Sequence, residues 1–299
     1  IDHNYIGHFK HQNPKNGDET IRIIDHVKNN SDPRQVEIDD LESKVRVEYN
    51  YFDQSDGEEQ EIISIKANKT IVRGNTFSNC LGGVKCRRGN GSIIEGNFFL
   101  GGGRGSGKNE KISGIGLLGS HHIVLNNYFE DLVKNHRGDR LAAISLEAGH
   151  PKEAIQAVKE KRAGQKDKDT GQFTGKFDKG YRPPVQHVLI AHNTIINCGQ
   201  SLLFSRDNAS GNDPRADQAP QRIWIVNNVI ISADEEVLVR FAPLKQNGGV
   251  PNKPEQVKWE NNVVNKRPSI QAISNEMIIE DDMLTSPSSQ EPHIVRLTE

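Results

Sequence analysis

Val72-Arg73-Gly74-Asn75-Thr76-Phe77 and, 22 residues later, Ile94-Glu95-Gly96-Asn97-Phe98-Phe99 follow one pattern: an apolar residue, two variable ones, Asn, one more residue, then an apolar residue. The same pattern runs through Ile1/Asn4/Ile6, Val47/Asn50/Phe52, Val124/Asn127/Phe129, Ile190/Asn193/Ile195, Ile225/Asn228/Ile230 and Trp259/Asn262/Val264. From Asn50 to Asn75 to Asn97 the spacing is 25 and 22 residues. A period of ~20 to 50 residues is the mark of a solenoid or array. The repeats are short, β-branched and aromatic, and broken by Gly and Asn, which disfavours helical repeats. Leu does not hold the repeating sites, which disfavours a leucine-rich repeat. The pattern therefore predicts an all-β chain wound as a right-handed parallel β-helix. Asn is expected to take the left-handed backbone conformation at one corner of each rung, its amide bonding to the Asn above and below, while the flanking apolar residues stack inside.

The rhythm is interrupted twice. Residues 24–44, with Ser31-Asp32-Pro33, lengthen the first turn, and residues 151–185 form an insertion opening on Pro151-Lys152-Glu153-Ala154, expected as a short helix to about Ala163 followed by a loop. The β-helix is expected to span residues 1–275, with 276–299 as a cap or tail. Asn4 already sits inside a repeat, so N-terminal rungs and a cap are expected to be missing from this sequence.

Composition narrows the function classes. Counting Gly and leaving out Tyr, apolar residues are about 41%, below the ~45–50% of ordinary globular chains. No apolar run approaches the ~18 residues of a membrane span. The 38 basic and 40 acidic residues nearly cancel, at a net charge of −2, so nothing global points to nucleic acid. Cys80, Cys86 and Cys198 allow no closed disulfide framework and no CxxC zinc site, and are expected as core fillers at rung corners. The 11 His show no metal-binding spacing.

In a solenoid, equivalent positions of successive rungs lie ~4.8 Å apart, so sequence offset becomes spatial neighbourhood. Asn16, Glu61, Arg87 and Arg140 lie 12, 11, 12 and 13 residues after their corner Asn and should form one line on the outer surface. Glu59 and Glu61, two apart on a strand, point the same way. Lys66 precedes Arg87 by 21 residues, close to one rung. One patch then holds an amide, two carboxylates, a lysine and an arginine. Hard oxygen ligands of this kind suit Ca²⁺, which also relieves repulsion between paired carboxylates. From Lys66 to Lys111 there are nine basic residues against two acidic ones, so an acidic polymer would be drawn there. Singly, each of these residues reads as a solvated surface charge; their conjunction is what points to a site.

The residues that carry this patch resemble polysaccharide lyase family 6, the β-helical alginate lyases and chondroitinase B. The carrying segments are Asn16-Gly17-Asp18-Glu19-Thr20-Ile21-Arg22-Ile23, Glu59-Gln60-Glu61-Ile62-Ile63-Ser64-Ile65-Lys66 and Arg87-Arg88-Gly89-Asn90. The resemblance covers roughly residues 1 to 150. It implies that Asn16, Glu59 and Glu61 hold Ca²⁺, that Lys66 is the base and Arg87 the acid, and that Arg137 or Arg140 is a substrate-binding arginine. Arg88 stands where the family has His, and Ile65 where Asn is common. Arg88 and Lys111 are taken with the substrate-binding set.

The chemistry so implied is β-elimination on a uronic acid polymer. The proton on carbon 5 is removed and the oxygen on carbon 4 expelled, leaving a carbon–carbon double bond. A cation on the sugar carboxylate neutralises the developing charge. Lys66 must be neutral to act, against a free value near ~10.4, and nearby positive charge disfavours its protonated form. Arg87, with its very high pKa, serves the departing oxygen chiefly as an electrostatic partner. Alginate is the leading substrate; a dermatan or chondroitin sulfate lyase and a non-catalytic carbohydrate-binding β-helix are the alternatives. Such a protein is expected to be secreted or periplasmic; the oligomeric state is open.

Overall fold

In the computed structural model, the residues described are 1–10, 19–24, 43–56, 61–102, 112–132, 141–149, 183–206, 218–231, 237–241, 254–264, 270–271 and 293–295. Asn16, Glu59, Lys111, Arg137, Arg140 and nearly all of the insertion at 151–185 lie outside them. Among the described residues there are 24 strands, β1 to β24 in chain order, in three sheets. The first holds β1 (Tyr5–Gly7), β4 (Tyr51–Asp53), β7 (Thr76–Ser78), β10 (Phe98–Leu100), β13 (Tyr128–Glu130), β16 (Thr194–Ile196), β19 (Val229–Ile231), β22 (Asn262–Val264) and β24 (His293–Val295). The second holds β2 (Ile21–Ile24), β5 (Glu61–Lys66), β8 (Gly83–Arg88), β11 (Ile115–Leu117), β14 (Ile144–Glu147), β17 (Gln200–Arg206), β20 (Val237–Phe241) and β23 (Ile270–Gln271). The third holds β3 (Arg46–Glu48), β6 (Ile71–Arg73), β9 (Ile93–Glu95), β12 (Ile123–Leu125), β15 (Gln186–Ala191), β18 (Gln221–Val226) and β21 (Glu255–Glu260). Each strand pairs in parallel with the strand three later in the chain, which is a parallel β-helix with three strands per rung. The exception is β24, which pairs antiparallel with β22.

The repeat seen in the sequence is the corner between the third and first sheets. Each ladder Asn donates from Nδ2 to the next one's Oδ1: Asn4 to Asn50 at 2.8 Å, Asn50 to Asn75 at 2.9 Å, Asn75 to Asn97 at 3.0 Å and Asn97 to Asn127 at 2.9 Å. The ladder continues through Asn193 and Asn228 to Asn262. Each Asn is buried from Asn50 onward, so its amide satisfies groups that water does not reach. The left-handed residue, however, is not the ladder Asn but the one before it: Tyr49 (φ 56°), Gly74 (63°), Gly96 (62°), Asn126 (55°), His192 (55°), Asn227 (56°) and Asn261 (52°). That residue makes the turn, which leaves the ladder Asn free to aim its side chain inward along the stack.

Two positions after each ladder Asn the side chain enters the core. Phe52, Phe77, Phe99 and Phe129 stack face to face with centroids 4.8, 4.7 and 4.8 Å apart and rings within 5° of parallel. The spacing equals the strand separation, so the rung repeat itself sets the stacking distance. Val47, Val72, Ile94, Val124, Ile190 and Ile225, three before each Asn, fill the same core from the third sheet. All three cysteines are buried. Cys80 and Cys198 lie at rung corners as expected, whereas Cys86 lies within β8 and points into the core, where burial pushes its thiol up to about 12. His122 is also fully buried: its Nε2 donates to the Leu118 carbonyl at 3.0 Å and its Nδ1 accepts from the Ser92 N–H at 3.1 Å. Burial pulls its pKa down to about 4.

Candidate active site

The second sheet brings several of the expected site residues to its outer face. Ile63 and Ile65 of β5 and Val84 and Cys86 of β8 face the core, so strand alternation turns Ser64, Lys66, Lys85 and Arg87 outward. The register runs Ile65 beside Cys86 and Lys66 beside Arg88, with irregularities between Glu61 and Ile63 and between Ile65 and Lys66. Arg87 is therefore level with the end of β5, next to Lys66. Glu61 instead pairs with Gly83. The single line expected from counting residues does not hold for Glu61 and Arg87, because the loop between β4 and β5 is three residues longer than the loop between β7 and β8, so equal offsets from the corner do not reach equal heights. Their side chains meet nonetheless: Arg87 Nη1 lies 3.0 Å from Glu61 Oε1.

Lys66 and Glu19 form the second contact, with Nζ 3.5 Å from Oε1. Glu19 is held in turn by Arg22, whose Nε donates to Oε1 at 2.9 Å while Nη2 meets Oε2. The Lys66 pKa is lowered, first by burial and then by the charges of Arg22 and Arg87, against the opposing pull of Glu19 and Glu61. Burial alone would raise the Glu19 carboxyl, but the hydrogen bonds from Arg22 and from its own backbone, with the charges of Arg22 and Lys66, hold it below the usual range. Lys66 is thus partly desolvated among cations, the setting that suits a lysine to accept a proton. Glu19 and Arg22 stand within the run beginning at Asn16, but the sequence reading assigned them no role; the bidentate pair closing on Lys66 appears only once β2 lies beside β5.

Glu61 bears on the question of a cation. It is 7% exposed, and while Oε1 faces Arg87, Oε2 is buried with no hydrogen-bond partner. An unpartnered buried carboxylate oxygen is costly unless a donor or cation completes it. That fits a divalent ion at this position. Among the described residues no group of three or more His, Cys, Asp or Glu converges; Asn16 and Glu59, the other expected ligands, lie outside the described residues. Arg88 lies next to Lys66 across the strands and is half-buried.

Against known families, residues 1–159 match the family model for chondroitinase B. The chain belongs to the chondroitinase B family. Solved structures of polysaccharide lyase family 6 share its fold. The lyase Pedsa3628 from Pseudopedobacter saltans is 25% identical with a TM-score of 0.60, over 100% of this chain and 64% of its own. The alginate lyase AlyGC is 26% identical with a TM-score of 0.59, over 91% of this chain and 30% of its own. A mannuronic acid-specific family 6 lyase from human gut microbiota has the same fold, with a TM-score of 0.56 at 23% identity, over 88% of this chain and 46% of its own. This chain thus spans between about a third and two-thirds of the length of these lyases. Among curated proteins, none matches it. For a chondroitinase B family chain the matched segment is the informative one, since 1–159 includes Glu19, Arg22, Glu61, Lys66, Arg87 and Arg88.

Proposed function

We propose that this polysaccharide lyase family protein cleaves alginate by β-elimination, with Lys66 as the base, Arg87 at the departing oxygen, and a calcium ion held by Asn16, Glu59 and Glu61. The observation that carries the reading is the meeting of Lys66, Arg87 and Glu61 on one face, with the lysine pKa lowered and one carboxylate oxygen of Glu61 left over. When bound, the cation would draw negative charge from the uronate carboxylate and so acidify the proton on carbon 5. Lys66 Nζ, when neutral, accepts that proton, and the electron pair moves to form the bond between carbons 4 and 5. The bond from carbon 4 to the glycosidic oxygen breaks, and the Arg87 guanidinium stabilises the charge arriving on that oxygen. Glu19 and Arg22 fix the position of Lys66. Arg88, Lys111 and Arg137 or Arg140 would bind the anionic chain outside the reacting sugar. Like other enzymes acting on extracellular polymers, it would work outside the cytoplasm.

The alginate assignment follows the solved relatives named alginate lyases, and the matching family model keeps dermatan sulfate as the second reading. Purified protein is mixed with alginate or dermatan sulfate, with and without EDTA, and the ultraviolet absorbance of the unsaturated product is followed. A rise with alginate that is lost in EDTA and in Lys66→Ala supports the proposal; a rise with dermatan sulfate alone moves it to the second reading. Binding of either polymer with no absorbance change refutes catalysis.

A further inference from the structure

All three corners of the coil turn through residues with a left-handed backbone, and they take different side chains there. Between the third and first sheets these are the residues before each ladder Asn, none of them Lys or Arg. Between the first and second sheets they are His8, Gln54, Asn79, Gly102, Asp131 and Asn197. Gly, Asn, Asp and His are the types this conformation accepts most readily. Between the second and third sheets, successive rungs place Lys44, Lys69, Gly91, His121, His187 and Arg222 in it, and the column ends at Gln256. Among the described residues, only this corner sets Lys or Arg in a left-handed turn. The conformation costs a residue with a Cβ about 1–2 kcal/mol, so the turn itself does not call for them. Nor does exposure, since Tyr49, Asn126 and Asn227 at the ladder corner are exposed as well.

From His121 onward the column is joined side chain to side chain. The His121 and His187 rings stack with centroids 4.8 Å apart and 12° between planes. Arg222 donates from Nη1 to His187 Nε2 at 3.1 Å and from Nε to Gln256 Oε1 at 3.0 Å. Because Nε2 accepts, His187 is neutral; burial, then the charges of His121 and Arg222, lower its pKa. Arg222 is exposed, and no carboxylate among the described residues pairs with it. Held from two sides by neutral acceptors, its guanidinium keeps a full charge for an outside anion. The residue before each corner position is Ser43, Asn68, Asn90, Ser120, Gln186 or Gln221, and a carboxylate, Glu255, comes only at the far end. The column starts beside the candidate site, since Lys69 follows Lys66 by three residues and Gly91 follows Arg88 by three. It runs along the coil at ~4.8 Å per rung, so Lys44 and Arg222, five steps apart, are separated by about 24 Å.

We infer that this corner is a second binding line for an acidic polysaccharide, with Lys44 near one end and the pinned Arg222 near the other. The inference rests on the proposed polyuronate substrate. A row of cations repeated along the coil axis, with no carboxylate between them, complements an anionic chain laid lengthwise, and one chain engaging both ends gains from the second contact without a second loss of freedom.

The test is calorimetric binding of long-chain alginate and of an alginate trisaccharide to protein carrying Lys66→Ala, so that no turnover intervenes. Arg222→Asn and Lys44→Asn each remove one charge and install the residue that the other corners use. Each is expected to weaken long-chain binding at low salt by roughly five-fold, as the loss of one contact charge in water would, and the double variant by about 25-fold, the product for independent sites. At about 1 M salt, where the screening length is ~3 Å, these differences should vanish. Arg222→Lys keeps the charge at a corner that accepts Lys44 and Lys69, and is expected to bind as the parent does. The trisaccharide, too short to span the column, should bind parent and variants alike. Should Arg222→Asn not fold, Lys44→Asn alone decides. Unchanged long-chain binding in either folded single variant, a loss that persists at high salt, an equal loss in Arg222→Lys, or an equal loss for the trisaccharide overturns the inference. So does a parent protein that binds no long-chain alginate. Binding by the parent without elimination in the unsubstituted protein defeats only the lyase reading, and the variant comparison still decides the role of the corner.

Discussion

Replacing Asn97 by Ala tests whether the amide ladder is a main source of stability. The Asn97 side chain makes five hydrogen bonds: Nδ2 to the carbonyls of Val72 (3.0 Å) and Glu95 (3.1 Å) and to Asn127 Oδ1 (2.9 Å), and Oδ1 from the N–H (2.9 Å) and Nδ2 (3.0 Å) of Asn75. All but the Glu95 bond lie fully inside the protein, and Asn97 is 0% exposed. At about 1 kcal/mol net for each bond, with buried partners left unsatisfied, the loss comes to about 5 kcal/mol. That is a large fraction of the ~5–15 kcal/mol by which domains are stable. The control is Asn4→Ala at the exposed end of the ladder, where the side chain makes two bonds, to the Asp2 carbonyl and to Asn50; its expected cost is below about 1 kcal/mol. Urea unfolding followed by circular dichroism measures both, with the midpoint compared at constant slope. Two results would refute the reasoning: a cost for Asn97→Ala under about 1 kcal/mol, or equal costs for the two variants. Either would mean that the phenylalanine stack and backbone ladders hold the coil without the amides.

Lys66→Ala should lower the rate of elimination by about 10³-fold or more, the scale of a lost general base, while leaving the thermal midpoint near the parent's; a residual rate within ten-fold removes Lys66 from the base role. Because the lysine must be neutral and burial with Arg22 and Arg87 lowers its pKa, the rate should rise with pH to a plateau reached below the ordinary lysine range, and a flat profile would contradict this. Chelation with EDTA should abolish activity and added Ca²⁺ restore it, with Glu61→Gln raising the Ca²⁺ concentration needed, as titrated by activity and by calorimetry. His122, held neutral to about pH 4 against an ordinary value of 6.5, should make stability fall as pH drops. Stability is complete above about 6.5, where the unfolded chain is also neutral, and is lost progressively as pH falls toward about 4. The gap of about 2.5 pH units at about 1.4 kcal/mol each is worth about 3 kcal/mol. Urea midpoints across that range should lose this dependence in His122→Gln.

The fold was legible because its signal is local and repeated. An Asn, an apolar residue three before it and another two after it are enough to mark a corner, an inward strand position and a stacking site, wherever the loops fall. One local error, putting the left-handed turn on the ladder Asn rather than on Tyr49, Gly74 or Gly96 before it, arose because either residue type at either position satisfies a turn. What decides is that the Asn side chain must point inward. The site was half legible. Lys66, Arg87 and Glu61 sit on strands whose alternation can be read in sequence, yet counting from the corners misjudged the height of Glu61 because the loop before β5 is longer than the loop before β8, and a count from the corner cannot tell loop residues from strand residues.

By itself, the order of residues determined the winding, the buried Asn and Phe stacks, and which side chains of β5 and β8 leave the core, since all of these depend on neighbours within a few positions. Only the tertiary structure decided which outward side chains meet. Glu19 closes on Lys66, and Arg222 is pinned between His187 and Gln256, because contacts between rungs depend on register and bulges, and these are set by the packing of strands far apart in the chain.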